Sequence, residues 1–234
     1  MVVRFHGPPS ALSALVPDAV LGAPEAPLAA RLAPPGDERG ATALEDLDVH
    51  HAPAGRGAQW LSLSLPEDLA PGLYRGTVLV DGTELEMTVS IAAELNVLVS
   101  PPFIQARAAP GATLTETFTI ANTGNVRFDV PRTGAFGLAE QDSLDTAIGM
   151  AMRSDVEGEA RLGRLADELA DRHGGLVIVS YGEGRGALEP GDARDLTAKF
   201  RLPTELKPGR QYYGMWQLAN ASSRIEIDTE EAAK

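Results

Sequence analysis

Trp60-Leu61-Ser62-Leu63-Ser64-Leu65 alternates apolar and polar positions without a break, the period-two pattern of a strand with one buried face. Leu73–Val80 follows as a second strand. Asp81-Gly82 then marks a two-residue hairpin, because both central positions of a type I′ turn need positive φ. Thr83–Ile91 returns with Leu85, Met87, Val89 and Ile91 on one face. The pattern predicts a three-strand meander with a Pro71-Gly72 turn.

The residues before it read differently. Pro8, Pro9, Pro17, Pro24, Pro27, Pro34, Pro35 and Pro53 interrupt the stretch from Gly7 to Gly57, a density that forbids long helices and central strands. Short strands at Val16–Leu21 and Leu28–Ala33 are expected there, after an extended Val2–Phe5, with turns at Pro35-Gly36 and Ala54-Gly55.

Leu95–Val99 continues the extended pattern, and Ser100-Pro101-Pro102 makes a stiff linker. Beyond it, Phe103–Arg107, Thr113–Ile120 and Val126–Val130 read as strands, with turns at Pro110-Gly111 and Asn122-Thr123-Gly124-Asn125. The period then changes. Leu144, Ile148 and Met152 recur at helical spacing, and Leu162, Leu165 and Leu169 form a second stripe. Two helices are therefore expected within residues 139–174. Asp142 is read as the first N-cap, and Ser154-Asp155-Val156-Glu157 has the capping-box spacing for the second. Gly174-Gly175 reads as the stop. Leu176–Tyr181 returns to strand, Gly182–Gly191 is a glycine-rich loop, and Ala193–Leu202, Tyr212–Leu218 and Arg224–Asp228 close the chain, with a frayed tail from Thr229.

That closing triplet repeats the first. Leu65-Pro66-Glu67-Asp68-Leu69-Ala70-Pro71-Gly72-Leu73-Tyr74-Arg75-Gly76 returns as Leu202-Pro203-Thr204-Glu205-Leu206-Lys207-Pro208-Gly209-Arg210-Gln211-Tyr212-Tyr213-Gly214, with one residue inserted. The repeat predicts two tandem domains of one type, 1–99 and 100–234.

These residues carry a resemblance. The run from Pro110-Gly111 through Thr115–Ile120 to Asn122-Thr123-Gly124-Asn125-Val126, with the Leu-Pro…Pro-Gly…Tyr-x-Gly endings, resembles bacterial immunoglobulin-like modules of the fibronectin-III-like β-sandwich type. The resemblance covers 58–91 and most of 103–131 and 176–228. It implies a mainly β protein of two tandem sandwiches, the second with a two-helix insertion. It also implies that Tyr74 and Tyr212 sit on a late strand where the hydroxyl reaches backbone at a corner. Adhesion, display, spacing or strand-pairing chaperone work goes with that family, and no reaction does.

Composition narrows the chemistry. Thirty-three acidic against 20 basic residues leave a formal charge of −13 over 234 residues. Such a field, with no Lys/Arg stripe, disfavours nucleic acid and anionic lipid. The chain has no cysteine, so disulfides, thiol catalysis and Cys-ligated zinc are excluded. No run reaches the ~18 apolar residues of a membrane span. The N-terminus lacks a signal-peptide pattern; the compartment is periplasmic or extracellular if a leader was removed, and otherwise cytoplasmic.

Candidate sites are few. His50-His51 follows Glu45, Asp46 and Asp48, yet adjacent histidines on a strand point to opposite faces; a solvated loop is expected and no metal. Gly182, Gly184 and Gly186 precede no helix, which speaks against a phosphate cradle. Ser180 lies outside any Gly-x-Ser-x-Gly. No catalytic, cofactor or metal site is assigned. The residues offered for partner binding are Leu144, Ile148, Met152, Leu162, Leu165, Leu169, and an aromatic pair Tyr212 and Trp216 sharing one strand face. The functional expectation is a non-enzymatic structural or protein-interaction subunit of a bacterial envelope or multi-protein assembly, with a protein partner or self-assembly. The alternatives are a periplasmic chaperone-like protein accepting a client strand, or an accessory subunit of an enzyme complex.

Overall fold

The computed structural model describes residues 2–21, 28–33, 44–80 and 83–230. The Pro35-Gly36 and Asp81-Gly82 turns lie outside these residues. Contacts divide the chain into two units. Unit 1 is Met1–Asn96 with Thr123–Arg127 and Glu189–Gly191; unit 2 is the remainder from Val97.

Unit 1 carries β1 (Val2–Gly7), β2 (Ala11–Pro17), α1 (Asp18–Leu21), β3 (Leu28–Ala33), β4 (Leu44–Leu47), β5 (Val49–Gly55), β6 (Ala58–Ser64), β7 (Gly72–Val80) and β8 (Thr83–Ile91). One sheet runs β1-β8-β7-β3-β4 and the other β2-β6-β5, with β1 parallel to β8. In chain order the strands take the places A′, B, C, C′, D, E, F and G, with B, E and D on one sheet and C, F and G on the other. That is the immunoglobulin topology. The alternation of β6 does what its pattern predicts: Leu61 and Leu63 are fully buried beside Leu32, Val78 and Val89.

Two readings in the proline-rich half change. The expected strand at Val16–Leu21 is β2, five residues earlier, and a short helix starts at Asp18. Pro17 ends the strand with its ring on the side away from β6, and the Asp18 amide that follows still donates to the Gly57 carbonyl at 2.9 Å. His50 and His51 lie on β5 rather than in a loop.

Unit 2 contains β9 (Val97–Ser100), β10 (Phe103–Ala108), β11 (Thr113–Asn122), β12 (Phe128–Val130), β13 (Thr133–Glu140), α2 (Ser143–Arg153), α3 (Glu159–Asp171), β14 (His173–Tyr181), β15 (Gly186–Leu188), β16 (Ala193–Arg201), β17 (Gln211–Leu218) and β18 (Ala221–Thr229). Its large sheet runs β10-β18-β17-β13-β14-β16-β11-β9, and β12 pairs β15. With β10, β11, β13, β14, β16, β17 and β18 in the places A′, B, C, C′, E, F and G, β14 bonds to β13 on one side and to β16 on the other, so the G-F-C half continues into the E-B half. β9 pairs β11 within this unit, so the strand begun by Val97 belongs to the second module rather than to the end of the first.

The sequence repeat is a structural repeat. The Leu65 amide donates to the Ser10 carbonyl at 3.2 Å, and the Leu202 amide donates to the Ala112 carbonyl at 2.9 Å. Tyr74 faces Val89 as Tyr212 faces Ile227, and Gly76 faces Met87 as Gly214 faces Ile225. The repeated glycine has a steric cause. A Cβ on Gly76 would stand 1.8 Å from the Arg31 carbonyl oxygen, and one on Gly214 would stand 2.6 Å from that of Gly137. Each is the point where the F strand meets the backbone of the C strand, and no side chain fits between them.

The tyrosines close corners, as the resemblance implies. Tyr74 Oη donates to the Ala70 carbonyl at 2.8 Å, and Tyr212 Oη accepts from the Lys207 amide at 3.0 Å. Unit 2 is built around Trp216, whose ring lies 4.4 Å from Phe118 and 5.7 Å, edge to face, from Phe200. Its indole N–H donates to Tyr181 Oη at 2.7 Å, which satisfies the one polar atom of a buried ring. The chain does not fray at Thr229. Thr229 is buried, and its hydroxyl bonds to the carbonyls of Lys207 and Arg210; residues 231–234 are outside the described set.

Candidate interaction surface

α2 and α3 form a hairpin inserted between β13 and β14. Its ends are not made as the sequence suggests. Asp142 precedes α2 in a left-handed conformation, φ 55, and makes no side-chain cap bond. Ser154 closes α2 instead of opening α3, its hydroxyl donating to the Ala151 carbonyl at 2.5 Å. α3 starts five residues later, behind Gly158 at φ 58, where positive φ suits a residue without Cβ. α3 stops at Asp171, and Gly174 and Gly175 lie in β14. Gly174 is needed there for closeness, since a Cβ would come within 2.7 Å of the Tyr212 ring.

The inner face of this hairpin is small and charged. α2 buries Ser143, Ala147 and Ala151, and the buried residue of α3 is Glu168. Glu168 accepts from Arg164 at 2.5 Å and from Arg172 at 2.8 Å, so both carboxylate oxygens are paired where desolvation would otherwise penalise them. Lys207 fastens the end of α3: its ammonium donates to the Asp171 carboxylate at 2.7 Å and to the Asp171 carbonyl at 2.9 Å. That hydrogen bond and the Lys207 charge lower the Asp171 pKa.

The large apolar residues point the other way. Leu144, Ile148 and Met152 are 56%, 42% and 62% exposed, and Leu162 is 67% exposed. Leu169 is also exposed and Leu165 is half-buried. Apart from the half-buried Leu165, the two stripes are therefore not buried against each other or over the sheet. Alanines at i and i+4 let the helices approach closely, and that places the long side chains outside.

Tyr212 and Trp216 correct the sequence reading in the opposite sense. Both are in the core of unit 2, 3% and 1% exposed, and form no surface platform. An inward face of β17 carries Tyr212, Gly214 and Trp216 together, as period two requires, but that face is the buried one. An exposed apolar pair lies elsewhere: Leu15 faces Trp60 across β2 and β6, and both side chains are exposed. The signal was in the phase of the alternation, which sets Trp60 on one face with Ser62 and Ser64, opposite the leucines.

The polar candidates are otherwise engaged. His50 bonds to Asp48 at 3.0 Å and His51 Nδ1 to Gln59 Oε1 at 2.6 Å. Among the described residues no group of three or more His, Asp or Glu is arranged to hold a metal. Asn220, the acceptor of a glycosylation-type tripeptide, uses its side-chain oxygen to accept the Val97 amide at 2.7 Å. Asn125, in the Thr123–Arg127 segment of unit 1, is buried and bonds to Glu94, Leu69 and Ala92. Burial raises the pKa of Tyr74 and of Tyr181; both hydroxyls serve corners or core, not a cleft. Among the described residues no helix is long and apolar enough to cross a membrane.

No family model matches the chain, and no curated protein matches it. Solved structures similar to it include the titin fragment Titin-A168169, 12% identical at a TM-score of 0.32, over 98% of this chain and 96% of that one. DIP-gamma IG1+IG2 is 10% identical at a TM-score of 0.32, over 99% and 96%. The polymeric Ig receptor ectodomain of a teleost fish is 8% identical at 0.28, over 99% and 100%. The assignment of both units as immunoglobulin-like sandwiches rests on their strand order.

Proposed function

We propose that this chain is a non-catalytic structural or protein-interaction subunit of a multi-protein assembly, with the hairpin α2–α3 as its docking element. The observation that carries the reading is the inverted hairpin. Leu144, Ile148, Met152 and Leu162 stand in water, although turning them inward is the ordinary way to gain about 1.5–3 kcal/mol per residue. An exposed apolar stripe on an otherwise polar surface marks an interaction site. The cell envelope is the setting proposed for that assembly.

The test compares tagged full-length protein with I148E/M152E, both recovered from a lysate of the native cells. Both positions are exposed, so the fold is retained, and circular dichroism checks that. The reading expects a co-purifying protein, or a second copy, that the variant loses. Equal recovery of the same species by both proteins overturns it.

A second reading, acceptance of a client strand, is favoured by β2. The Leu65-to-Ser10 and Asp18-to-Gly57 backbone bonds place the even-numbered amides of this strand toward β6. Ala11, Ser13 and Leu15 therefore present their N–H and C=O groups outward, on an edge strand without a charged side chain.

A further inference from the structure

We infer that α2 docks against α2 of a second copy of this chain, antiparallel, about a twofold axis passing between Ile148 and Gly149. The inference rests on the reading of the hairpin as a docking element and names its occupant. Leu144, Ile148 and Met152 form a single i, i+4, i+8 ridge, all three exposed, and such ridges interdigitate with their like. Gly149 lies beside the middle of the ridge, and the Arg153 guanidinium folds over it, 3.4 Å from where a Cβ would stand, which brings that charge to the flank of the ridge.

The charges choose the second copy. Asp145 is the acidic residue of the first turn and Arg153 the basic residue of the last. They are separated by about 12 Å along one helix at 1.5 Å per residue, too far to pair within one chain. Among the described residues neither forms an ion pair within the chain; Arg153 makes only a long contact to the Met150 sulfur. In an antiparallel arrangement centred between Ile148 and Gly149, Arg153 of one copy comes within about 1.5 Å of the axial level of Asp145 of the other. The twofold makes that pairing twice. The same patch then serves both subunits, which is the condition for a closed dimer rather than a filament. A foreign partner has no reason to match charges placed almost symmetrically about the middle of the ridge.

The experiment is sedimentation equilibrium of the full chain from nanomolar to high-micromolar concentration. Wild type dimerises; I148E weakens the dimer by about tenfold or more. D145R and R153E each weaken it by a smaller factor, and D145R/R153E regains most of the loss, because the swapped charges again face each other. The chain has no cysteine, so I148C gives a disulfide-linked dimer under mild oxidation while L162C, off the axis, stays monomeric. A wild type that is monomeric throughout overturns the inference. So does a dimer indifferent to I148E, or one in which the double swap is no better than the single ones. If wild type is monomeric yet I148E/M152E loses a captured protein, self-docking falls and the docking role of the hairpin stands. If it is monomeric and capture is unchanged, both fall.

Discussion

The Lys207 amide donates to the hydroxyl of Tyr212 at 3.0 Å while the Lys207 ammonium holds Asp171 at 2.7 Å. One residue therefore joins the corner that closes the sandwich to the end of the inserted hairpin. The corner is part of the fold common to both units, and the fastening of α3 is special to the second.

Replacing Tyr212 by Phe leaves the Lys207 amide without its acceptor, and a buried donor left unsatisfied costs about 1–3 kcal/mol. Tyr74→Phe removes a donor to the Ala70 carbonyl, which keeps a second lone pair for other partners, so its cost is nearer 1 kcal/mol. Urea denaturation of the two variants measures both, and negligible losses in both would show that the corner hydrogen bonds contribute nothing.

The Asp171–Lys207 pair gives stability a pH dependence. The Asp171 pKa is lowered from its ordinary value of 3.8, first by the Lys207 hydrogen bond and then by its charge. The stabilisation is thus fully present above that value and lost as pH falls through the lower folded-state pKa. Melting temperatures of wild type and D171N differ at neutral pH and converge in strong acid. A difference that persists after protonation assigns the effect to something other than the ion pair.

The repeated glycines do not tolerate a methyl group. Gly76→Ala and Gly214→Ala each cost about 3 kcal/mol, the upper end for forced overpacking, because the obstacle is backbone rather than a movable side chain. Gly163, inside α3, is the control. A Cβ there meets nothing within 4 Å, and Ala stabilises by about 0.4–1 kcal/mol through helix propensity and a less flexible unfolded chain. Thermal melts of the three variants distinguish these signs.

The two tryptophans report on the corrected aromatic reading. Trp216 is 1% and Trp60 47% exposed, so iodide quenches one and spares the other. The W60F variant retains blue-shifted emission that iodide does not reach, and loses under about 0.5 kcal/mol. W216A loses about 3–5 kcal/mol. Quenching of the W60F emission to the level of free tryptophan would place Trp216 at the surface.

Much of this protein was legible in one dimension because the deciding forces are local or periodic. The Leu61/Leu63/Leu65 alternation selects a strand face, and the helical spacing of Leu144, Ile148 and Met152 selects a helix. The Leu-Pro…Pro-Gly…Tyr-x-Gly repeat announces two copies of one module, since turn chemistry depends on the residues at the turn. Helix ends were less legible. The Ser154 hydroxyl serves equally to cap a helix that starts or one that stops, and only the backbone course into Gly158 decided between them.

What the sequence could not determine was which side of an element faces inward. Tyr212 and Trp216 share a face by period two, yet burial of that face depends on Phe118, Phe200 and Tyr181 arriving from strands far away in the chain. The stripe of α2 is helical by its own spacing. That it lies outside is decided by Ala147 and Ala151, which pack closer than leucines can, and by Glu168, which needs the shelter of Arg164 and Arg172. Spacing is a property of the chain, whereas inside and outside are properties of what the chain folds against.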